Sequence, residues 1–278
     1  MALLQNSFMA THWTYLLNRN PFRNLFGTKN LVKSMVADPE LVQAILVRDF
    51  HVFTDRSRAS KSGDDSIAKH SLVHMSGDAW RGVRAIVSPT FSPNKLRQMY
   101  PIISQCVSEF ITHLDQNYHG KLTDIDVNDK FWRFTMDTIL RCEFGALTYF
   151  LAGTKTTSTV LAFCTYVLVV NPDCQQRLYD EIQAITGNQN RDIGYETLDS
   201  MPYLDACVSE TLRLYSPFPR VKRVANTDYT FPAIGLTIKA GQRVEIPVHA
   251  MHRSPDNFVD PDKFNPDSVI VAMERRKK

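Results

Sequence analysis

The feature that most constrains the fold is a stretch over residues 206–215 whose apolar positions recur with helical spacing. It predicts one amphipathic helix with an apolar face made of Leu204, Val208, Leu212 and Tyr215. Ser200 is the candidate N-cap, and Pro217 ends the helix because proline lacks a backbone N–H. Glu210 and Arg213 share a face and can form a charge-assisted pair. In isolation such a pair is usually a solvated surface contact worth about 0.2–0.5 kcal/mol.

The sequence that follows this helix changes that interpretation. It runs LYSPFPRVKR over residues 214–223. Together with the E-x-x-R spacing, it resembles the K helix and following loop of the cytochrome P-450 superfamily, the haem-thiolate monooxygenases. The resemblance implies that Glu210 and Arg213 belong to a buried network behind the haem. It also implies that Arg220 contacts a haem propionate.

Composition excludes several classes of protein. With 278 residues, 44% of them apolar, the chain can bury a sizeable core as one large domain or two small ones. The formal charge of +3, with a dense basic run only at residues 275–278, argues against nucleic acid as a partner. Five cysteines without C-x-x-C spacing argue against a disulfide scaffold and a structural zinc site.

The N-terminal region is atypical for the resembled family. Asparagine and arginine interrupt the apolar positions of residues 1–30 too soon for a signal peptide or a spanning helix. Microsomal members of the family carry an N-terminal anchor in the endoplasmic reticulum membrane, so we expect this chain to be cytoplasmic or peripheral to a membrane. Further on, Asp38 opens a helix as its N-cap, with Pro39 in the first turn. Residues 58–69 predict a polar loop, which in the family covers the substrate pocket.

A second segment of the resemblance starts at Ser76. Trp80 and Arg84 lie one helical turn apart before Pro89 ends the predicted helix. An indole N–H beside a guanidinium suits a carboxylate, although an isolated W-x-x-x-R is more often a core tryptophan with an arginine snorkelling beside it. The sequence SPTFSPNKL that follows, residues 88–96, resembles the end of the family's C helix. The resemblance implies that Trp80 and Arg84 hold the second haem propionate.

The middle of the chain predicts an internal deletion. Residues 100–114 and 131–144 have helical periodicity and resemble the D and E helices. The sequence just after Gly145 already resembles the later I helix, so the F, G and H helices are missing and the deletion lies near residues 145–148. The predicted organisation is an atypical N-terminus without an anchor (1–30), a part with A to E helices (31–145) and a part with I, J and K helices and a β-hairpin (146–278).

Residues 150–170 form the most apolar segment of the chain. A short transmembrane helix is one interpretation, but Lys155 disfavours it because a lysine inside hydrocarbon costs about 2.5–3.5 kcal/mol. We therefore predict a buried core helix. The sequence AGTKTT from Ala152 resembles the oxygen-activation motif of the I helix, which implies that the Thr156 hydroxyl helps to deliver protons. Lys155 stands where the family has an acid.

Two further elements are predicted between this helix and the C-terminal region. Asn171 and Pro172 cap and open a helix that resembles the J helix. Residues 236–248 alternate in hydrophobicity around Ala240 and Gly241, a pattern that predicts a hairpin.

The last part of the chain departs from the family pattern. Ser268 stands where the family has the arginine that completes a triad with Glu210 and Arg213. The cysteine loop of the form F-x-x-G-x-R-x-C-x-G does not occur in the sequence, so we expect a C-terminally truncated chain without the haem-ligating cysteine. The five cysteines present are each predicted to be a small core or surface residue.

Together these features predict a mostly α fold with a small β part, an incomplete cytochrome P-450 fold from the animal microsomal branch that oxidises drugs and steroids. The resemblance implies a haem cofactor, an NADPH-dependent reductase as partner and insertion of one oxygen atom into lipophilic small molecules. Three hypotheses remain: such a monooxygenase, a catalytically dead relative without stable thiolate-ligated haem, and a membrane-associated interaction protein anchored by residues 150–170. We favour the second for this chain and the first for its lineage.

Overall fold

The computed structural model describes residues 26–28, 31–56, 72–120, 124–142, 147–187 and 193–269. The chain forms two compact units: Met1–Ser88 with Phe218–Pro261, and Pro89–Pro217 with Asp262–Lys278. Each unit is made of two separate stretches of the chain. The division at residue 145 predicted from the sequence does not separate these units and stays a prediction about the order of motifs along the chain. The predictions for residues 1–25, for the loop at 58–69, for the junction at 143–146 and for the basic tail lie outside the described residues. The mostly α class with a small β part is confirmed.

The first unit is built on a small mixed sheet. Its strands are β1 (Phe26–Thr28), β2 (Leu31–Met35), β3 (Val221–Val224) and β6 (Arg243–Ile246), in the order β1-β2-β6-β3. Strands β2 and β6 are parallel, and the other two pairs are antiparallel. A second sheet pairs β4 (Tyr229–Thr230) with β5 (Thr237–Ile238). The helices are α1 (Pro39–Gln43), continued by a π turn at Ala44–Arg48, then α2 (Gly77–Val87) and α9 (Val248–His252).

The second unit is helical in its described part. It contains α3 (Pro93–Tyr118), α4 (Val127–Arg141), α5 (Leu147–Val170), α6 (Pro172–Thr186), α7 (Tyr195–Leu198) and α8 (Pro202–Leu214). Helix α4 packs between α3 and α5, and α8 packs against α5 and α6. These positions confirm the helices predicted at residues 100–114 and 150–170 and the one opened by Pro172. The helix predicted over 131–144 is confirmed as far as Arg141, and residues 143 and 144 lie outside the described range.

The hairpin predicted over residues 236–248 is wrong. Ile238 in β5 pairs with Tyr229 of β4, whereas β6 pairs with β2 and β3. Ile238 and Val244 nevertheless lie in one buried core with Phe53 and Phe231. The alternating pattern therefore reflects burial of β5 and β6 in the same core, although the two strands do not pair with each other.

Helix caps are predicted correctly in one place and wrongly in another. The carboxylate of Asp38 accepts hydrogen bonds from the first backbone N–H groups of α1, as predicted. Ser200 does not cap α8, because the helix begins at Pro202 and the Ser200 hydroxyl donates to the Thr197 carbonyl at 2.6 Å. Glu181 of α6 performs that role instead, accepting from the N–H groups of Tyr203 and Leu204 at 2.8 and 2.9 Å. A carboxylate from another helix can satisfy the free N–H groups as well as a local cap does.

The predicted apolar face of α8 is also offset from the observed one. Leu212 is 37% exposed, and the buried residues are instead Tyr203, Ala206, Cys207, Glu210, Thr211, Arg213 and Leu214. The charged pair is itself part of the buried face, which hydrophobic periodicity does not reveal.

Helix α5 is less buried than the predicted core helix. Thr154, Ser158 and Val167 are buried, but Val169 and Val170 are 65% and 52% exposed. In the described part of the chain, one helical segment, Ala152–Val170, is long and apolar enough to cross a membrane, and 17% of it is buried.

Candidate functional site

A small cavity in the first unit depends on Asp55. The backbone of Asp55 forms an isolated antiparallel bridge with Val224, whose N–H donates to the Asp55 carbonyl at 2.8 Å. This bridge carries Arg56 to the end of β3, where Arg223 lies. The Asp55 carboxylate also accepts from the N–H of Gly77 at 3.0 Å, at the start of α2. One residue thus connects the sheet with the helix that presents Trp80.

The cavity has a volume of about 30 Å³ and is lined by Phe50, Thr54, Arg56, Leu72, Val73, Met75, Trp80 and Arg223. One water molecule needs roughly 10–15 Å³ in the same measure, so the space suits the two oxygens of a carboxylate. Phe50 meets the Trp80 ring edge to face, with centroids 6.5 Å apart. Phe50, Leu72 and Val73 supply an apolar wall next to the two guanidinium groups.

The electrostatics of the cavity favour an anion. The Nε atom of Arg223 is buried and has no hydrogen-bond partner among the described residues, while its Nη1 donates to the Lys222 carbonyl at 2.9 Å. Burial, followed by the charge of Arg56, lowers the pKa of Arg223 below its ordinary value. A carboxylate in the cavity could accept from Nε–H and from the Trp80 indole, and would offset part of the positive charge of the two guanidinium groups.

Of the three hydrogen-bond donors Arg56, Trp80 and Arg223 at this cavity, the sequence predicted only Trp80 as a site residue. Trp80 lines it, but Arg84 is exposed and is not among the lining residues. Arg220 is 46% exposed, and its Nη1 lies 3.8 Å from the carboxylate of Glu245. Their predicted contacts with haem propionates therefore remain predictions. Arg56 and Arg223 were missed because the sequence gives no signal that residues 55 and 224 pair.

The predicted E-x-x-R pair lies in the second unit and is fully formed. Glu210 Oε2 accepts from Arg213 Nε at 2.7 Å, and Oε1 accepts from Arg213 Nη2 at 2.8 Å. The two side chains are 0% and 7% exposed, so this is not the solvated surface pair expected of an isolated motif. Burial of the pair, which the resemblance implies, is observed.

Backbone groups complete the network around this pair. The N–H of Asn265 donates to Glu210 Oε1 at 2.9 Å, and Arg213 Nη2 donates to the Lys263 carbonyl at 2.9 Å. Ser268, in the position of the third family residue, donates its hydroxyl to the Asn265 carbonyl at 2.8 Å. The hydroxyl of Ser268 thus closes a turn at Asn265. This turn directs the backbone N–H of Asn265 to the carboxylate of Glu210.

The segment that resembles the oxygen-activation motif is used for helix packing. A Cβ atom built on Gly153 would lie 2.8 Å from Ile139 Cδ1 of α4, so the space beside the glycine is already filled. The Thr135 hydroxyl of α4 donates to the Thr154 carbonyl at 3.1 Å. Thr156 donates its hydroxyl to the Ala152 carbonyl of its own helix, and Lys155 is exposed. The side of Gly153 that a Cβ atom would occupy therefore faces Ile139 of α4.

We expect Gly153→Val to lower the free energy of unfolding by about 1–3 kcal/mol, because the added methyl groups overpack the contact with Ile139. Urea unfolding measures the effect, and an Ile139→Ala background should relieve part of it. Gly82→Val is the matched control, since a Cβ on Gly82 of α2 meets nothing within 4 Å. Equal losses for the two valine variants would show that α4 and α5 do not pack at Gly153.

The five cysteines all lie in the sequence range of the second unit. Cys106, Cys142 and Cys207 are buried. Burial raises the pKa of Cys142, and burial followed by the neighbouring Cys174 and Cys164 raises the pKa of Cys207 to about 12. In the described ranges, no group of three or more His, Cys, Asp or Glu residues is arranged to hold a metal ion.

Comparison with known proteins identifies the lineage. The family model described as cytochrome P-450 matches residues 20–149 and 146–268. Probable cytochrome P-450 6a13 of Drosophila melanogaster is 26% identical over 92% of this chain and 73% of that protein. Cytochrome P-450 6k1 of Blattella germanica is 22% identical, covering 88% of this chain and 69% of its own length. Cytochrome P-450 3A13 of Mus musculus is 25% identical, covering 84% and 66%.

These matches also confirm the predicted internal deletion. The two matched segments of the family model meet at residues 146–149. The alignment with the 6a13 protein spans 365 positions, more than the 278 residues of this chain, so the relative carries residues inside the matched span that this chain lacks. The match covers well over half of the chain in the order expected from its motifs, and the chain belongs to the cytochrome P-450 family.

Proposed function

We propose that the cavity of the first unit binds a propionate carboxylate of haem, and that a polypeptide of these 278 residues does not form a thiolate-ligated centre or insert oxygen. The observation that carries the first part is the buried Arg223 Nε–H, which has no partner among the described residues and shares the cavity with Arg56. A carboxylate accepts strong charge-assisted hydrogen bonds from such donors and offsets part of their positive charge.

The cavity residues fit the carboxylate end of haem, whereas the cysteines present do not fit its iron. Arg56, Arg223 and the Trp80 indole would hold a propionate by charge-assisted hydrogen bonds. Cys106, Cys142 and Cys207 are buried, and no cysteine of the described residues lines the cavity. Haem supplies the oxygen chemistry of the family when it is bound with a thiolate ligand.

Two features of the second unit support the proposal that oxygen insertion is lost. Ile139 of α4 occupies the space that a Cβ on Gly153 of the family motif would take, and Lys155 replaces the acid next to the proton-delivering threonine. Members of the family are haem monooxygenases that take electrons from an NADPH-dependent reductase and oxidise lipophilic substrates at the endoplasmic reticulum membrane. Carboxylate binding in this chain requires neither the reductase nor a substrate.

Haem titration followed by absorbance tests the proposal. We expect saturable binding at one site for the wild type and unchanged affinity for Thr156→Ala, because Thr156 bonds within its own helix. Non-saturating absorbance changes, or equal loss of affinity in Thr156→Ala, would contradict the proposed site.

A further prediction concerns Asp55. We expect Asp55→Ala to weaken haem binding several-fold, because it removes the acceptor that fixes Gly77 and with it the helix of Trp80. The cost in stability should be about 0.5–2 kcal/mol, as for a lost helix cap. Asp38→Ala, which removes two cap bonds from α1, is the control with a similar cost in stability and unchanged haem affinity. If Asp55→Ala and the wild type bound haem with equal affinity, Asp55 would have no role in forming the site.

The second candidate function is membrane association through residues 150–170. The observation in its favour is that α5 combines sufficient length and hydropathy with low burial over Ala152–Val170. Alkaline carbonate extraction of expressing cells tests it, since only a spanning helix should resist extraction. Release of the protein into the soluble fraction would reject a spanning anchor.

A further inference from the structure

A groove lies between helices α3 and α4 of the second unit. Its volume is about 280 Å³, close to the lower end of the range for small-molecule pockets, roughly 300–1,000 Å³. The lining combines a thiol, two phenylalanines and five ionisable side chains: Cys106, Glu109, Phe110, His113, Lys130, Arg133, Phe134 and Asp137. None of these residues lines the cavity of the first unit.

The floor of the groove is aromatic. The centroid of the Phe110 ring of α3 lies 5.0 Å from that of Phe134 and 5.5 Å from that of Phe131, both on α4. Cys106 lies one turn before Phe110 and is buried. A ligand ring that packs on two phenylalanines gains apolar burial together with favourable ring contacts. The floor therefore suits a ligand that contains one flat aromatic ring.

Helices α3 and α4 run antiparallel along the groove. The Lys130 ammonium, near the start of α4, lies 5.5 Å from the centroid of the Tyr118 ring at the end of α3. Arg141, at the end of α4, contacts Glu109 in the middle of α3 at 2.8 Å. The groove therefore has a basic end near Lys130 and an acidic end near Glu109.

A single face of α4 repeats this order of chemical groups. Lys130, Phe134 and Asp137 follow one another at steps of four and three residues, which places them on the same side of the helix. They present a cation, an aromatic ring and a carboxylate over about 10 Å of helix axis. One aromatic ring with a polar group on each side has a comparable length.

The acidic end keeps an excess of negative charge. The half-exposed carboxylates of Glu109 and Asp137 both pair with the single guanidinium of Arg141, at 2.8 and 2.9 Å. Hydrogen bonds from Arg141 and then from Gln105 lower the pKa of Glu109, so this carboxylate is charged at neutral pH. Two carboxylates paired with one guanidinium can still attract an ammonium group.

The basic end has the opposite balance. Lys130 and Arg133 share the carboxylate of Asp129, whose oxygen lies 4.0 Å from Lys130 Nζ and 2.9 Å from Arg133 Nε. Two cations paired with one carboxylate leave positive charge to attract a second carboxylate. The two ends of the groove thus favour ligand groups of opposite sign.

We propose that this groove binds a small zwitterion in which an aromatic ring separates an ammonium group from a carboxylate. The ring lies on Phe110 and Phe134, and the ammonium group pairs with Glu109 and Asp137. The carboxylate of the ligand pairs with Lys130. A ligand with a single charge satisfies one end of the groove only. This site is independent of haem and of the cavity in the first unit.

Calorimetric titration of the full chain at low ionic strength tests the proposal with three ligands of the same shape. Para-aminomethylbenzoic acid carries both charges, para-toluic acid carries only the carboxylate, and para-methylbenzylamine carries only the ammonium group. We expect saturable binding of the zwitterion with a Kd of about 1 mM or below. Each singly charged ligand should bind about threefold or more weakly, because it loses one half-exposed ion pair.

Two charge variants should affect the ligands in opposite ways. We expect Asp137→Asn to weaken the zwitterion and the amine about threefold and to leave the acid unchanged. Lys130→Gln should weaken the zwitterion and the acid and leave the amine unchanged. Asp180→Asn is the matched control, since Asp180 is an exposed carboxylate of α6 outside the groove, and it should change none of the three affinities.

Several results would overturn the proposal. Equal affinities of the three ligands would show that the groove does not recognise charge, and a lack of saturation by the zwitterion up to about 10 mM would exclude the site. A second copy of the chain is the competing occupant. A dimer in sedimentation experiments that both charge variants dissociate would assign the groove to that contact instead. The comparison of ligands uses wild-type protein, so it does not depend on the folding of any variant.

Discussion

Replacing Glu210 with alanine is expected to lower the free energy of unfolding by about 3–5 kcal/mol, because removing one partner of a buried ion pair leaves the other charge uncompensated. Arg213 is 7% exposed and directs two donors to the Glu210 carboxylate. The same substitution strands the N–H of Asn265, which donates to Glu210 at 2.9 Å. Asn265 would therefore lose its hydrogen bond to α8 together with the ion pair, while the Lys263 carbonyl keeps Arg213 as its donor.

Urea unfolding followed by far-ultraviolet circular dichroism measures this effect. Glu196→Ala is the matched control, since Glu196 also pairs with an arginine but its side chain is 67% exposed. We expect that control to leave the unfolding midpoint nearly unchanged. Similar unfolding curves for the two alanine variants would show that Glu210 and Arg213 are not buried as described.

Arg223→Ala is expected to weaken haem binding about tenfold or more, whereas Arg220→Ala should change it less than about threefold. The difference follows from position: Arg223 lines the cavity with a buried Nε, while Arg220 is exposed and lies near Glu245. This result would assign the propionate contact to the second arginine of the RVKR sequence.

Haem titrations of the two variants at equal ionic strength provide the measurement. Arg84→Ala serves as a second control, because Arg84 lies one turn from Trp80 on α2 but does not line the cavity. Equal affinities for all three variants would contradict the cavity as the binding site. A larger loss of haem affinity for Arg220→Ala than for Arg223→Ala would instead support the contact between Arg220 and a haem propionate that the resemblance implies.

The sequence predicted the elements of this fold better than their partners. Asp38 and Pro172 mark the starts of α1 and α6 because capping is a local property of a few consecutive residues. The cap of α8 was predicted wrongly since Glu181, its true acceptor, lies 22 residues from Tyr203 in the chain. The hairpin failed for the same reason, as the strand pairing of Val244 with Arg223 joins distant segments.

The candidate site shows the same limit. The order of motifs identified the family, and the spacing of Glu210 and Arg213 identified a pair that the structure buries. The arginines of the cavity were missed, because Arg56 reaches Arg223 only through the bridge between Asp55 and Val224. Gly153 carries a packing role that depends on Ile139 of another helix, which its own motif does not reveal.

The most direct test of the account is the difference spectrum of the haem-loaded 278-residue polypeptide after reduction and addition of carbon monoxide. The account predicts that haem binds through its carboxylates while Cys142, Cys207 and the other cysteines stay away from the iron, so the Soret band of the carbonyl complex should lack the red shift that thiolate ligation produces. A red-shifted Soret band that disappears when one of the five cysteines is replaced by serine would contradict it.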